Sequence, residues 1–307
     1  MITSGQSGAL VYRIEIKEKP YLLRIIPDTN VVAAKANLSY YFSYMRIASE
    51  AEIAPKIQYL SIENKLSITH FIESKPFPLD EARNKLPILL RKLHSLPGFH
   101  SVMNIFEIAG IYIQKLKALN ILPDSEISDM IENYKKIASV YPLEKEGLVS
   151  CHNDLKPENI IYDGKKPWIV DWEAAFLNLR YADLSIVVNF IPKNQSEEIE
   201  LLKSYFDREP TDYDLACFYL IQQILHINYF TVFLVILSSK GKSIDLDKRP
   251  DCNFSEFHNR MWKGEISLAE DESRLYYALV HKDKYQNNIK SQRFKNALDI
   301  VLKMNIN

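Results

Sequence analysis

Hydrophobic and polar positions alternate with period two near the start of the chain and with a period close to 3.6 over most of the remainder. Leu10, Tyr12 and Ile14 share one face of a strand that follows GQSG, Lys17 to Pro20 makes the turn, and Tyr21 to Ile26 returns. Val31 to Glu50 reads as a helix, with Leu38, Tyr41, Phe42, Met45 and Ala48 on a largely apolar surface. Two further strand-like runs, Lys56 to Ser61 and Leu66 to Phe71, meet at a turn over Glu63-Asn64. THFIESKPFP then passes from strand into a proline-bearing linker.

Helical periodicity dominates from Leu79 to Tyr141, with a break expected at Pro87 and a stop at Pro97-Gly98. Ser125 to Tyr141 is amphipathic. The run IIYDGKKPWIV interrupts the helices as a hairpin, after which Ser196 to Phe206 and Thr211 to Leu237 are helical again. Thr211 and Asp214 make a capping box behind Pro210. Ser238 to Pro250 is a polar loop, and two or three charged helices follow from Phe254. Strands first and helices later predict an α+β fold, with a small antiparallel sheet lobe holding one helix over residues 1–72 and a larger helical lobe over 73–307.

Composition narrows the partners. A formal charge of -1 and a pI near 6.7 leave no electrostatic footprint for nucleic acid or an anionic membrane. The three cysteines, Cys151, Cys217 and Cys252, form no framework and no C-x-x-C pair, which fits a reducing, cytoplasmic setting. The most apolar stretch, Leu215 to Leu237, is interrupted by Gln222, Gln223, His226 and Asn228 and reads as a buried core helix rather than a membrane span. Nothing in the pattern sets the oligomeric state.

The chemistry concentrates in His152 to Glu173, HNDLKPENIIYDGKKPWIVDWE. Asp154 and Asn159 share a short loop, and Asp171 ends the apolar run WIV, so two carboxylates and an amide converge at one mouth. Phosphoryl transfer needs such a set: one carboxylate to orient and deprotonate a hydroxyl, with an amide and a second carboxylate to hold magnesium on the phosphates. A polar loop after a buried strand explains the turn residues but not the spacing of the acids and the Asn.

HNDLKPEN followed by IVDWE resembles the catalytic loop and metal segment of the choline kinase and aminoglycoside phosphotransferase superfamily, small-molecule relatives of the protein kinases. The resemblance implies a protein-kinase-like two-lobe fold with ATP and Mg2+ as cofactors. It makes Asp154 the base, Asn159 and Asp171 the metal ligands, and His152 a brace for the backbone. Lys156 either touches the γ-phosphate or is a solvated lysine. Glu173 either supports the metal ligands or accepts a cationic substrate beside Trp172. Asp183, in RYADLS, matches an Asp that ties the catalytic loop, although Leu179-Arg180 replaces the Asp-Pro expected before it.

By their residues alone, Gly5, Ser7 and Gly8 read as an ordinary turn opening a strand; the resemblance makes them the loop over the ATP phosphates. Arg24 matches the strand cation that pairs with the phosphates, and the backbone near His70, Phe71 and Ile72 matches the adenine-binding hinge. One departure concerns Arg24: its partner is usually a Glu on the following helix, yet no Asp or Glu occurs between Asp28 and Glu50. The aromatics of the C-terminal half are mainly core, with Tyr219 and Trp262 as candidates for a cage around a quaternary ammonium.

The expected activity is phosphorylation of a hydroxyl on a small, cationic metabolite, choline- or ethanolamine-like. An aminoglycoside, thiamine or another small-molecule acceptor is the alternative, and a nucleotide-binding pseudoenzyme acting as an interaction module is the alternative of a different class. G-x-G-x-x-G, D-F-G and A-P-E are absent, against a protein kinase.

Overall fold

A computed structural model describes residues 9–27, 35–100, 103–242 and 244–306. The chain divides into two compact units, one made of residues 1–100 and 149–177, the other of 101–148 and 178–307.

The first unit holds a four-stranded antiparallel sheet in the order β1-β2-β4-β3, from β1 (Leu10–Ile16), β2 (Lys19–Ile25), β3 (Ile57–Ser61) and β4 (Leu66–His70). Lys17 and Glu18 both have positive φ, 50° and 63°, which gives the two-residue β1–β2 turn the twist a tight hairpin needs. Arg24 lies on the inner strand β2, opposite Val11 on one side and Ser67 on the other. Helix α1 (Lys35–Glu50) buries Leu38, Tyr41, Phe42, Met45 and Ala48, the apolar surface expected from the sequence.

Helix α2 (Leu79–His94) corrects the sequence reading: it runs through Pro87 without a break. Proline in a helix interior costs about 3 kcal/mol. Burial of Ala82, Leu86, Leu90 and Leu93 on the same helix contributes about 1.5–3 kcal/mol per large side chain, and that sum exceeds the local penalty. The unit is completed by β5 (Val149–Cys151), which pairs with β8 (Phe176–Asn178), and by the hairpin of β6 (Ile160–Tyr162) and β7 (Pro167–Ile169).

The second unit is helical: α3 (Ile105–Leu119), α4 (Asp124–Val140), α5 (Leu143–Glu146), α6 (Arg180–Val188), α7 (Gln195–Phe206), α8 (Asp212–Ser239), α9 (Phe254–Trp262), α10 (Asp271–Ile289) and α11 (Gln292–Ile306). Its axis is α8, which packs against α3, α6, α10 and α11. The Thr211–Asp214 capping box forms, each side chain bonding the other residue's backbone N–H. By length and composition α8 is apolar enough to cross a membrane, but 78% of its most apolar window is buried inside the protein, so its hydrophobicity is spent on the core. Three buried histidines share that core. His226 Nδ1 lies 2.8 Å from His281 Nδ1, and His258 donates from Nδ1 to the Phe254 carbonyl at 2.7 Å.

Candidate active site

The loop after β5 and the turn after β7 are joined by one buried ring. His152, 0% exposed, donates from Nε2 to the Val170 carbonyl at 3.0 Å and accepts the Asp154 backbone N–H on Nδ1 at 3.3 Å. With both nitrogens engaged in backbone bonds, the imidazole braces the segments carrying Asp154 and Asp171. Asn153 sits at φ 62°, a left-handed conformation Asn tolerates well, and its amide donates to the Ala174 carbonyl at 3.0 Å. Asp171 also takes a left-handed conformation, φ 68°, so the chain turns sharply at that carboxylate.

Asn159 donates from Nδ2 to the Asp154 carbonyl at 2.7 Å and to Asp154 Oδ2 at 2.8 Å. Two acceptors on one side fix the amide orientation, which leaves the Asn159 carbonyl oxygen as its ligand atom. The Asn159 backbone carbonyl in turn accepts the Val170 N–H at 3.0 Å, so Asn159 and Asp171 are held side by side. Lys156 Nζ lies 3.0 Å from Asp154 Oδ2. Burial disfavours the Lys156 charge, but Asp154, Glu158 and Asp171 outweigh burial and raise its pKa above the ordinary lysine value. Asp154 thus has Oδ2 occupied twice, while Oδ1 makes no hydrogen bond among the described residues.

Arg24 finds its acids in residues 171–173. Its Nη2 pairs with Glu173 and lies 3.0 Å from Asp171 Oδ1. Its guanidinium sits 5.6 Å from the ring centre of Tyr41 on α1, a helix with no carboxylate before Glu50 at its last residue. Burial opposes the Arg24 charge; Tyr41, Asp171 and Glu173 outweigh it and push the pKa further up. Burial pushes the Tyr41 hydroxyl up to about 12 despite the neighbouring Arg24.

An Mg2+ ion fits this donor set. Asp171 Oδ1 is buried without an aligned hydrogen bond, and the Asn159 carbonyl oxygen and the Asp171 carboxylate are hard oxygen donors of the kind Mg2+ takes.

Other expected residues stand as follows. Gly5, Ser7 and Gly8 lie outside the described residues. In the segment after β4, His70 N–H donates to the Lys56 carbonyl at 2.8 Å and Phe71 N–H to the Pro20 carbonyl at 3.3 Å. The Ile72 N–H has no partner among the described residues, so of the three amides it is the one left for a ligand. Trp172, expected at the substrate mouth, is a core residue instead: it is 1% exposed, edge-on to His152 at 5.0 Å and to Phe99 at 6.3 Å. Glu173 is occupied with Arg24 rather than presented to a cation. Asp183 is fully buried in α6 of the second unit. In the same unit Tyr219 is buried, its hydroxyl 3.2 Å from Ser291 Oγ and its ring 4.1 Å from the Arg293 guanidinium. Trp262 is half-buried at the end of α9.

Sequence reasoning missed Tyr41 and Tyr162 as neighbours of this machinery. Tyr41 carried only the signal of an apolar helix face, and Tyr162 only that of a strand residue.

Solved structures that resemble the chain share its α+β, protein-kinase-like fold. A choline/ethanolamine kinase family protein from Mesorhizobium loti superposes with a TM-score of 0.66 at 18% identity, over 97% of this chain and 94% of that one. The choline kinase LicA from Streptococcus pneumoniae gives 0.56 at 16%, over 83% and 88%. An aminoglycoside phosphotransferase in a ternary complex with streptomycin and ATP gives 0.56 at 14%, over 78% and 88%. In a comparison by sequence, no curated protein matches the chain. The family model for choline/ethanolamine kinase matches residues 1–224, which include the sheet, the Asp154–Asn159 loop and the Arg24–Asp171–Glu173 cluster. The chain therefore belongs to the choline/ethanolamine kinase family and is a small-molecule kinase.

Proposed function

We propose that the protein transfers the γ-phosphoryl group of ATP to the hydroxyl of a small cationic alcohol of the choline or ethanolamine type. The observation that carries this reading is the asymmetry of Asp154. One carboxylate oxygen is fixed by Asn159 and Lys156, and the other is left to accept a proton from an alcohol. The acceptor oxygen bonds to the γ-phosphorus as its proton passes to Asp154. The bond to the β,γ-bridging oxygen breaks, and ADP leaves with that oxygen.

Asn159 and Asp171 would hold Mg2+, which when bound neutralises charge on the β- and γ-phosphates. Lys156, 3.0 Å from Asp154, faces the charge that develops on the transferring group. In this reading Arg24 faces the phosphates and the Ile72 amide takes the adenine edge. AMP is bound in a LicA structure and ADP in an aminoglycoside phosphotransferase structure, which supports an adenine nucleotide as donor. A single quaternary or primary ammonium needs aromatic faces and one or two acids, whereas an aminoglycoside needs many acids.

The test is a turnover screen with ATP and Mg2+ across choline, ethanolamine, thiamine and aminoglycosides, with Asp154→Asn as control. ADP release coupled to choline or ethanolamine, lost in the variant while ATP still binds, is the expected result. Turnover confined to an aminoglycoside would move the assignment to that class. ATP binding without any acceptor would leave a nucleotide-binding module, and full turnover in Asp154→Asn would remove the base.

A further inference from the structure

The segment that follows β4 is fastened to the β6–β7 hairpin at one residue, Tyr162. Lys75 donates its backbone N–H to the Tyr162 carbonyl at 2.7 Å, and the Phe77 ring stacks on Tyr162 with centroids 4.3 Å apart and planes 9° from parallel. The Tyr162 hydroxyl donates to Glu81 on α2 and accepts from Lys85 Nζ at 2.9 Å. Lys85 also pairs with Glu81 and reaches the Lys165 carbonyl in the hairpin turn at 2.7 Å. Tyr162 itself is 3% exposed. At that turn, Gly164 has φ 92°, a conformation that disfavours other residues, and it faces the Lys75 side chain, with Cδ 2.9 Å from where a Cβ would stand.

The opposite strand of the hairpin is fastened separately. Ile169 N–H donates to the Ile53 carbonyl at 2.8 Å, and Lys166 Nζ reaches the Glu52 carbonyl at 3.1 Å. Strands of three residues each have little stability of their own, so these two fastenings set where the hairpin lies. Asn159 immediately precedes the hairpin, and Asp171 follows it with only Val170 between.

We propose that Tyr162 is a positioning residue that fixes the span between the Ile72 amide and the oxygens of Asn159 and Asp171, so that the adenine end and the metal–phosphate end of one nucleotide are met together. This rests on the reading that both ends contact ATP. The hydroxyl performs the fixing, because the charged Glu81–Lys85 pair holds it from α2, the helix into which the segment after β4 leads. A ligand that touches both ends gains from a fixed span, while a ligand that touches one end does not.

The experiment follows from that difference. In the full-length protein, Tyr162→Phe keeps the ring stack and the Lys75 backbone bond and removes only the hydroxyl; Glu81→Gln weakens the same hold from the helix surface. Binding of MgATP and of adenosine is measured by calorimetry for the wild type and both variants, alongside thermal melting. Both variants should weaken MgATP by about tenfold while adenosine binding stays within about twofold, and the double variant should be no worse than Tyr162→Phe. Equal weakening of MgATP and adenosine would mean local damage to the adenine end and would overturn the proposal. Unchanged MgATP binding would overturn it too, whatever the melting temperature. A wild-type protein that binds neither ligand would instead overturn the assignment of ATP, a result separate from these.

Discussion

Arg24 and Glu173 form an ion pair across 149 positions of sequence, joining the inner strand of the sheet to the turn that carries Asp171. The acid partners of Arg24 thus come from residues 171–173 rather than from α1, which offers the guanidinium the Tyr41 ring instead. The guanidinium, 3.0 Å from Asp171 as well, ties the orientation of Arg24 to that of Asp171, the proposed metal ligand. A change at either site is felt at the other.

Glu173→Gln removes the neutralising charge but keeps the shape. The variant should lose about 1–3 kcal/mol in urea unfolding, because Arg24 is largely buried and loses an acid partner. Its KM for MgATP should rise about tenfold while KM for the acceptor stays put; a larger effect on the acceptor would return Glu173 to the substrate.

Asn159→Ala deletes an expected metal oxygen and both hydrogen bonds that fix Asp154. The Mg2+ concentration for half-maximal rate should rise at least about tenfold, and kcat at saturating Mg2+ should still fall. Full recovery of kcat at high Mg2+ would mean that Asn159 serves the metal only.

His152→Ala should cost about 2–4 kcal/mol of stability, since it leaves a cavity beside Trp172 and strands the Val170 carbonyl and the Asp154 N–H. The pH–rate profile of the residual activity should keep its shape, because both ring nitrogens are engaged by backbone groups rather than relaying a proton. Loss of a limb near neutral pH in this variant would make His152 a proton carrier.

Acid should unfold the second unit early. Burial holds the His258 pKa down to about 4 from 6.5, despite its bond to the Phe254 carbonyl. Burial first, then neighbouring charges, push His226 and His281 well down: Lys284 and His258 act on His226, and His226 and His258 on His281. The unfolded chain therefore binds more protons below pH 6.5, so stability is full above that value and falls as pH drops toward 4. His258 alone accounts for up to about 3 kcal/mol. Thermal melting from pH 7.5 to 4.5 checks this: the wild type should lose several degrees, and His258→Phe should flatten the decline. A decline of equal slope in that variant would place the acid sensitivity elsewhere.

How far the sequence reveals the fold depends on whether a signal is local. The β2 return strand, the Glu63-Asn64 turn, the hairpin between Asn159 and Asp171 and the Thr211–Asp214 cap are each written within a few residues, and all form. Pro87 misleads because the propensity of one residue opposes an apolar helix face several turns long. Trp172 misleads because its neighbours in sequence are chemical while its neighbours in space are Phe99 and His152. The partner of Arg24 and the hold on Tyr162 by α2 are contacts between distant segments, and no periodicity records them.

The first unit is interrupted in sequence, since residues 149–177 close it only after 101–148 have passed into the other. A nascent chain halted on the ribosome near residue 148 would have β1 to β4 but no β6–β7 hairpin to satisfy the Ile53 carbonyl and no Tyr162 to lie on Phe77. Folding during translation therefore waits for a late segment that also carries the proposed base and metal ligands, so a truncated product has an incompletely closed N-terminal unit, a natural target for proteolytic clearance.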